Sequence, residues 1–416
     1  MAASRRKQII AAVVGNALEW YDFVVFGFLT VIISRLFFPD DSELLSLLKT
    51  TATFGVGFFM RPVGGIVLGL YADRHGRKAA MQLIMGLMTV ALLIIAAAPP
   101  YAAIGIGAPV LMVIARLLQG FATGGEFAIA TAFLVESAPP GRRGLYGSLQ
   151  QLGLTVAALG GAGAGLLVTT LLSPADLDAW GWRIPFIIGL LIGPVALYIR
   201  RHIEETEEFT AARASTATVI PLMTMLRQNL RAVLTTFGLI ICGTITYYVI
   251  LIYMPTFAQR ELGVAMGDAF KVQVVALVCL TALVPVFGAL SDRVGRRPVL
   301  MTGSVVLGLA LYPMFARTHA NPGLASLLLM QVVLASLLAI FYGAVSTAVA
   351  EQFEARVRSS GLSLAYNLAV MIFGGFAPFL VTWLIDRTGD PLAPAYYVIF
   401  GCTAGFIASF GVREAR

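Results

Sequence analysis

The sequence predicts an all-α membrane protein of twelve transmembrane helices, arranged as two pseudo-symmetric six-helix halves. Three observations carry that prediction. The 416 residues are 58% hydrophobic and 12% charged, with a mean hydropathy of +0.86, which matches twelve spans of about 20 mostly apolar residues each. The apolar residues fall in long unbroken runs, unlike the short alternating segments of a transmembrane barrel. A ten-residue pattern also occurs twice, once in each half of the chain. Such a composition excludes a soluble enzyme, a nucleic-acid binder and a disordered scaffold. The formal charge of +7 sits in loops and is not a nucleic-acid footprint.

With Gly, Pro and charge clusters as punctuation, the spans fall near 9–36, 47–72, 79–98, 107–135, 144–171, 184–200, 230–257, 270–290, 299–316, 323–350, 360–385 and 395–412. The first follows Arg5, Arg6 and Lys7 but is too long for a signal peptide, and Glu19 and Asp22 interrupt it. The polar stretch 201–229, which contains RRHIEETEEF, separates residues 1–200 from residues 230–416 and reads as a linker. Lys and Arg crowd the loops on the N-terminal side, among them Arg74, Arg77, Arg142, Arg143, Arg293 and Arg296. Both termini and the linker are therefore expected in the cytoplasm, with the chain in a bacterial inner membrane. Cys242, Cys279 and Cys402 all lie in apolar runs, which predicts neither disulfides nor a metal site.

The repeated pattern is Gly69-Leu-Tyr-Ala-Asp73-Arg74-His-Gly76-Arg77-Lys78 and Gly288-Ala-Leu-Ser-Asp292-Arg293-Val-Gly295-Arg296-Arg297. A second pair, Glu136…Arg143 and Glu351…Arg358, recurs at nearly the same offset, as expected of a parallel duplication. Glycines permit a tight turn, Asp73 and Asp292 can sit at a helix N-terminus, and Arg77 and Arg296 can pair with Glu136 and Glu351. Those six side chains would latch helix ends together in one state and release them in another. They resemble the loop signature of the major facilitator superfamily, and the resemblance covers the whole chain.

An ionisable residue at membrane depth is costly and marks a pathway by default. Five qualify: Glu19 and Asp22 in span 1, Arg61 in span 2, and Arg116 and Glu126 in span 4. The repeat places Gln331 opposite Arg116 and Phe341 opposite Glu126, so the second half lacks this charge. At about 100° per residue, Arg116, Gln119, Thr123 and Glu126 would share an arc of about 80° on one helix face. Glu19 and Asp22 also share a face, with Asn16 one turn earlier. Three carboxylates against two guanidiniums predict that Glu19, Asp22 and Glu126 include a proton carrier, with Arg116 changing partners between carboxylate and substrate. Arg61 stands beside Pro62 at a kink. Gln150 is expected to face the cavity, and the second half offers Tyr247, Tyr248, Tyr342, Tyr366 and Asn367 as uncharged donors and apolar walls. No buried Ser/His, Cys/His or metal set supports an intramembrane enzyme, and no cofactor is expected.

A closer resemblance lies in Gly15-Asn16-Ala-Leu-Glu19-Trp20-Tyr21-Asp22-Phe23, Met60-Arg61-Pro62-Val-Gly64, Arg116-Leu-Leu-Gln119-Gly120, Trp180-Gly-Trp182-Arg183-Ile-Pro185-Phe186 and Glu204-Glu205-Thr206-Glu207. Together these are similar to the metabolite:proton symporter family, whose members carry citrate, tricarballylate, 2-oxoglutarate, shikimate, proline or betaine. The resemblance implies a proton-coupled importer of a small organic anion, a di- or tricarboxylate such as citrate, functioning as a monomer on the proton gradient alone. Span 5, which continues Leu152-Gly-Leu-Thr155-Val after its glutamines, departs from the tricarboxylate carriers. The alternatives are a zwitterionic solute such as proline or betaine, for which Trp20, Tyr21 and Glu19 could form a cation cage, and a monocarboxylate such as shikimate. The end of the chain at Arg416, just after span 12, argues against an osmosensing C-terminal helix.

Overall fold

The computed structural model describes residues 2–75, 77–124, 126–190, 193, 226–354 and 357–414, with their side chains except at 2–8, 11–12, 69–70 and 72–82. Among these residues the chain is helical and contains no strand. The first half comprises α1 (Ala2–Phe28), α2 (Thr30–Phe37), α3 (Glu43–His75), α4 (Arg77–Ala97), α5 (Gly107–Ala122), α6 (Glu126–Glu136), α7 (Arg143–Leu171) and α8 (Gly181–Leu190). The second comprises α9 (Leu230–Thr246), α10 (Met254–Glu261), α11 (Met266–Val294), α12 (Arg296–Ala320), α13 (Leu324–Glu351), α14 (Arg358–Ala369), α15 (Ala377–Thr388) and α16 (Ala393–Ser409). Eight stretches are long and apolar enough to cross a bilayer, and α1 with α2 makes a ninth, bent by 62°. Three shorter apolar helices, Leu83–Ala97, Gly181–Leu190 and Ala393–Ser409, occupy the places of spans 3, 6 and 12. This is the twelve-span architecture expected from the apolar runs. The end of span 6 and linker residues 201–225 lie outside the described residues.

Four spans that read as continuous are interrupted. Span 1 bends at Leu29, where the Thr30 hydroxyl turns back to the carbonyls of Gly27 (2.7 Å) and Phe26 (3.2 Å), a bond known to bend helices. In span 4, α5 ends at Ala122 and α6 begins at Glu126, with Arg116 and Gln119 on the first and Glu126 on the second; residue 125 lies outside the described residues. Thr123 spends its hydroxyl on the Gln119 and Gly120 carbonyls of its own helix. Glu126 opens α6, where the helix dipole favours a negative charge. Span 7 passes into a π-helix over Tyr247–Ile252, and span 11 does so over Val370–Gly374.

The division of span 4 follows from how tightly it meets span 2. A Cβ added at Gly120 would lie 1.6 Å from the Gly57 carbonyl, one at Gly64 1.8 Å from the Phe121 carbonyl, and one at Gly124 2.0 Å from the Arg61 carbonyl. Gly120 and Gly124 form a small-residue pair four apart that lets two backbones touch. That contact fixes Arg61 and Arg116 on facing helices. The core is one continuous apolar cluster shared by both halves. At the α2–α3 corner, Lys49 donates to Asp40 (2.5 Å) and holds that carboxyl below the usual carboxylate range.

Gly120→Ala should cost about 1–3 kcal/mol through overpacking and lower the melting temperature of the purified protein. Gly86→Ala, whose Cβ meets nothing within 4 Å, should leave it unchanged, and equal shifts in the two variants would contradict the close contact.

Candidate functional site

Arg116 is fully buried, yet it meets no carboxylate among the described ion pairs. Its guanidinium donates to Gln119 Oε1 (2.8 Å) and, at 3.4 Å, to the carbonyls of Phe23 and Phe54. The rings of Phe23, Phe26 and Phe54 stand 4.1, 4.8 and 4.7 Å from its Cζ. In this arrangement aromatic faces and backbone dipoles surround the Arg116 charge. Arg61 is 1% exposed, and its Cζ lies 5.0, 4.8 and 4.5 Å from the rings of Trp20, Phe23 and Phe58. Its Nε and Nη2 have no hydrogen-bond acceptor, and the Tyr366 phenol faces it.

Asn16, Glu19 and Asp22 are all buried on α1. Asn16 Oδ1 accepts from Gln150 Nε2 at 3.3 Å. Asp22 faces span 6: a Cβ added at Gly189 would lie 2.1 Å from its Oδ1, and that oxygen has no donor. Next to it, the Tyr21 hydroxyl donates to the Pro185 carbonyl (3.0 Å). Among the described residues no three His, Cys, Asp or Glu side chains gather in a metal-holding group.

Between the halves lies a cavity of about 30 Å³ lined by Trp20, Phe127, Gln151, Leu154, Ile240, Gly243, Thr244, Tyr247, Tyr248, Tyr342, Val345, Tyr366 and Val370. Sequence reasoning placed Tyr247, Tyr248, Tyr342 and Tyr366 here and missed Phe127, whose ring stacks on Tyr366 at 3.8 Å and 5°. It also chose the wrong glutamine, since Gln151 lines the cavity and Gln150 turns to Asn16. Consecutive glutamines on a helix point about 100° apart, and only tertiary packing decides between them. The Tyr248 hydroxyl and Thr244 Oγ1 lack partners, whereas Tyr247 donates to the Leu154 carbonyl (3.4 Å). Asn367 donates to the Gly124 carbonyl (2.6 Å) and Ser363 Oγ (3.1 Å), binding span 11 to the break in span 4. A cavity of this size holds a single water-sized molecule, so the walls have closed.

Polar contacts seal one end. Asp292 accepts from the Gly144 and Leu145 amides at 2.7 and 3.0 Å, capping α7 from the opposite half. Arg296 lies between Asp292 (2.9 Å) and Glu351 (3.4 Å). Glu136 pairs with Arg358 across the halves, while the side chains of Asp73 and Arg77 lie outside those described. Glu414, not singled out in the sequence, caps α12 by accepting from the Arg296 and Arg297 amides (3.1 and 2.7 Å). Aromatic contacts also join the halves, with Phe270 against Phe28 (5.9 Å) and Phe376 against Phe59 (5.3 Å).

The family model for "Sugar (and other) transporter" matches residues 7–216 and 196–416. The chain belongs to that transporter family. It is 38% identical over 401 residues to the citrate-proton symporter of Klebsiella pneumoniae, covering 96% of this chain and 90% of that protein. It is 33% identical over 422 residues to the proline/betaine transporter of Escherichia coli strain K12, covering 98% and 83%. Among solved structures it resembles the partially occluded inward open xylose transporter XylE from E. coli (TM-score 0.79, 16% identity, 99% of each chain). It also resembles a D-xylose-proton symporter (TM-score 0.76, 18% identity, 97% and 95%). These neighbours share the fold of the chain, and the relatives are transporters and not enzymes. The transporter is a multi-pass membrane protein.

Asp292→Ala would strip the cap from α7 and leave Arg296 with one carboxylate. A loss of about 3 kcal/mol is expected for breaking a buried pair, read as a lower melting temperature. Asp268→Ala removes only an exposed partner of Lys271 and should change nothing measurable.

Proposed function

We propose that the transporter is a proton-coupled symporter that imports a small organic anion, a di- or tricarboxylate such as citrate, by alternating access. It works as a monomer in a bacterial inner membrane with both termini in the cytoplasm, driven by the proton gradient without a cofactor. The observation that carries the reading is Arg61, a buried guanidinium beside the cavity residues Trp20 and Tyr366 with two N–H atoms unmet. An unmet guanidinium recognises a carboxylate through two parallel hydrogen bonds. The Tyr248 hydroxyl, also unmet, supplies a further donor. The likeness to a citrate-proton symporter supports the same reading.

In this scheme Glu19, Asp22 and Glu126 include the site that takes up the proton. Their neutralisation together with anion binding cancels buried charge, so that the loaded carrier crosses its closed state without an exposed ion. The latch residues Asp292, Arg296, Glu351, Glu136 and Arg358 then exchange partners as the halves rock. One observation favours a second reading. The cavity wall is largely aromatic, with Trp20, Phe127, Tyr247, Tyr248, Tyr342 and Tyr366, and such a box suits a quaternary ammonium group. The proline/betaine relatives agree with it.

Proteoliposomes with an alkaline interior should accumulate labelled citrate uphill, and Arg61→Lys should raise the half-saturating concentration about tenfold or more by losing a charged, bidentate contact. Asp22→Asn or Glu126→Gln should abolish accumulation while citrate exchange persists. Accumulation of glycine betaine without citrate would establish the second reading, and uphill uptake by both carboxylate variants would remove the proton assignment.

A further inference from the structure

Span 7 carries two consecutive tyrosines, Tyr247 and Tyr248, into the cavity wall. In an α-helix neighbouring side chains diverge by about 100°. Here the backbone is widened to a π-helix over Tyr247–Ile252, closed by the Tyr253 amide bonding the Tyr248 carbonyl five residues back (2.9 Å). In that same register the Ile250 carbonyl would be met by the amide of residue 255. Residue 255 is Pro255, which has no N–H. Pro255 therefore cannot meet the Ile250 carbonyl in that register, at a position where Ile250 itself is fully buried, and a buried carbonyl left unmet is expensive.

A side-chain donor comes from another helix. Gln331 on α13 is 1% exposed, and its Nε2 donates to the Ile250 carbonyl (3.3 Å) and to Gln273 Oε1 on α11 (3.0 Å). Gln273 is equally buried, so the amide hydrogens of Gln331 are aimed by a second fixed group. The duplication places Gln331 opposite Arg116, and the two play the same part: Arg116 donates to the Phe23 carbonyl of span 1, Gln331 to the Ile250 carbonyl of span 7. The first half uses a charged donor and the second a neutral amide.

We infer that Gln331, aimed by Gln273, is a positioning residue for transport: it replaces the amide that Pro255 lacks, holds span 7 in its π register and so keeps both Tyr247 and Tyr248 on the substrate cavity. The consequence for substrate rests on the transport reading above, whereas the consequence for the backbone does not.

The decisive comparison sets Gln331→Leu beside Pro255→Ala and the double variant in the full-length protein. Gln331→Leu should speed amide hydrogen exchange across residues 247–257 about tenfold, the effect of losing one buried hydrogen bond. With whichever of citrate or glycine betaine is carried, it should raise KM by a similar factor and leave the maximal rate within about twofold. Pro255→Ala supplies an N–H, so the double variant should recover the wild-type exchange and KM. A Gln331→Leu protein unchanged in exchange, or a double variant with no recovery, overturns the inference. Should the single variant fail to accumulate, accumulation of the double variant supports the inference and its failure contradicts it. Hydrogen exchange reads the register even when neither solute is carried, so a failed transport reading is told apart from a failed positioning role.

Discussion

The structure depends on keeping a full positive charge at Arg116 with no exposed surface. Taking an ion of this size out of water costs several kcal/mol. Three phenyl faces, each worth about 2 kcal/mol to a desolvated cation, together with a charge-assisted bond to Gln119 of about 1.5–3 kcal/mol, are of the size needed to offset that cost. The cage in turn dictates its surroundings. Phe23 and Phe26 must lie on the inner face of span 1 and Phe54 on span 2, and the Gly57–Gly120 contact must bring the two backbones together. Arg61, one turn beyond Gly57, inherits the same shell, because Phe23 faces both guanidiniums. The two differ in what is left over. One nitrogen of Arg116, Nε, has no acceptor, while Arg61 leaves both Nε and Nη2 without one.

The two halves of the molecule are joined by different chemistry in different places. The latch end uses hydrogen bonds and ion pairs around Asp292, Arg296, Glu351, Glu136 and Arg358, whose partners can be exchanged for water at modest cost once the helices part. Elsewhere the halves meet through rings, Phe270 against Phe28 and Phe376 against Phe59, which separate only by exposing apolar surface or drawing in lipid or substrate. With both in place the central cavity shrinks to the size of a water molecule.

The span framework and the duplication were legible because they rest on composition, hydrophobic run length and a literal repeat. The breaks were not. Nothing in the hydropathy of span 4 separates Ala122 from Glu126; the interruption arises where Gly124 presses on the Arg61 carbonyl, a contact between residues far apart in the chain. The choice of Gln151 over Gln150, and the turn of Asp22 toward Gly189, depend likewise on which face packs inward. Two signals were present and unused. Gly120-Phe-Ala-Thr-Gly124 is a helix-contact motif, and Pro255 shortly after Tyr247 and Tyr248 removes an amide from the backbone ladder of span 7.

The central claim, that a carboxylate-bearing solute and a proton enter together, has a direct measure. Proteoliposomes suspended in weakly buffered medium, with no pH gradient imposed, are given citrate while external pH and internal citrate are followed together. The account predicts that external pH rises in step with citrate entry and that both signals slow together, about tenfold, in Arg61→Lys at low citrate. Citrate entry with no change in external pH would contradict it.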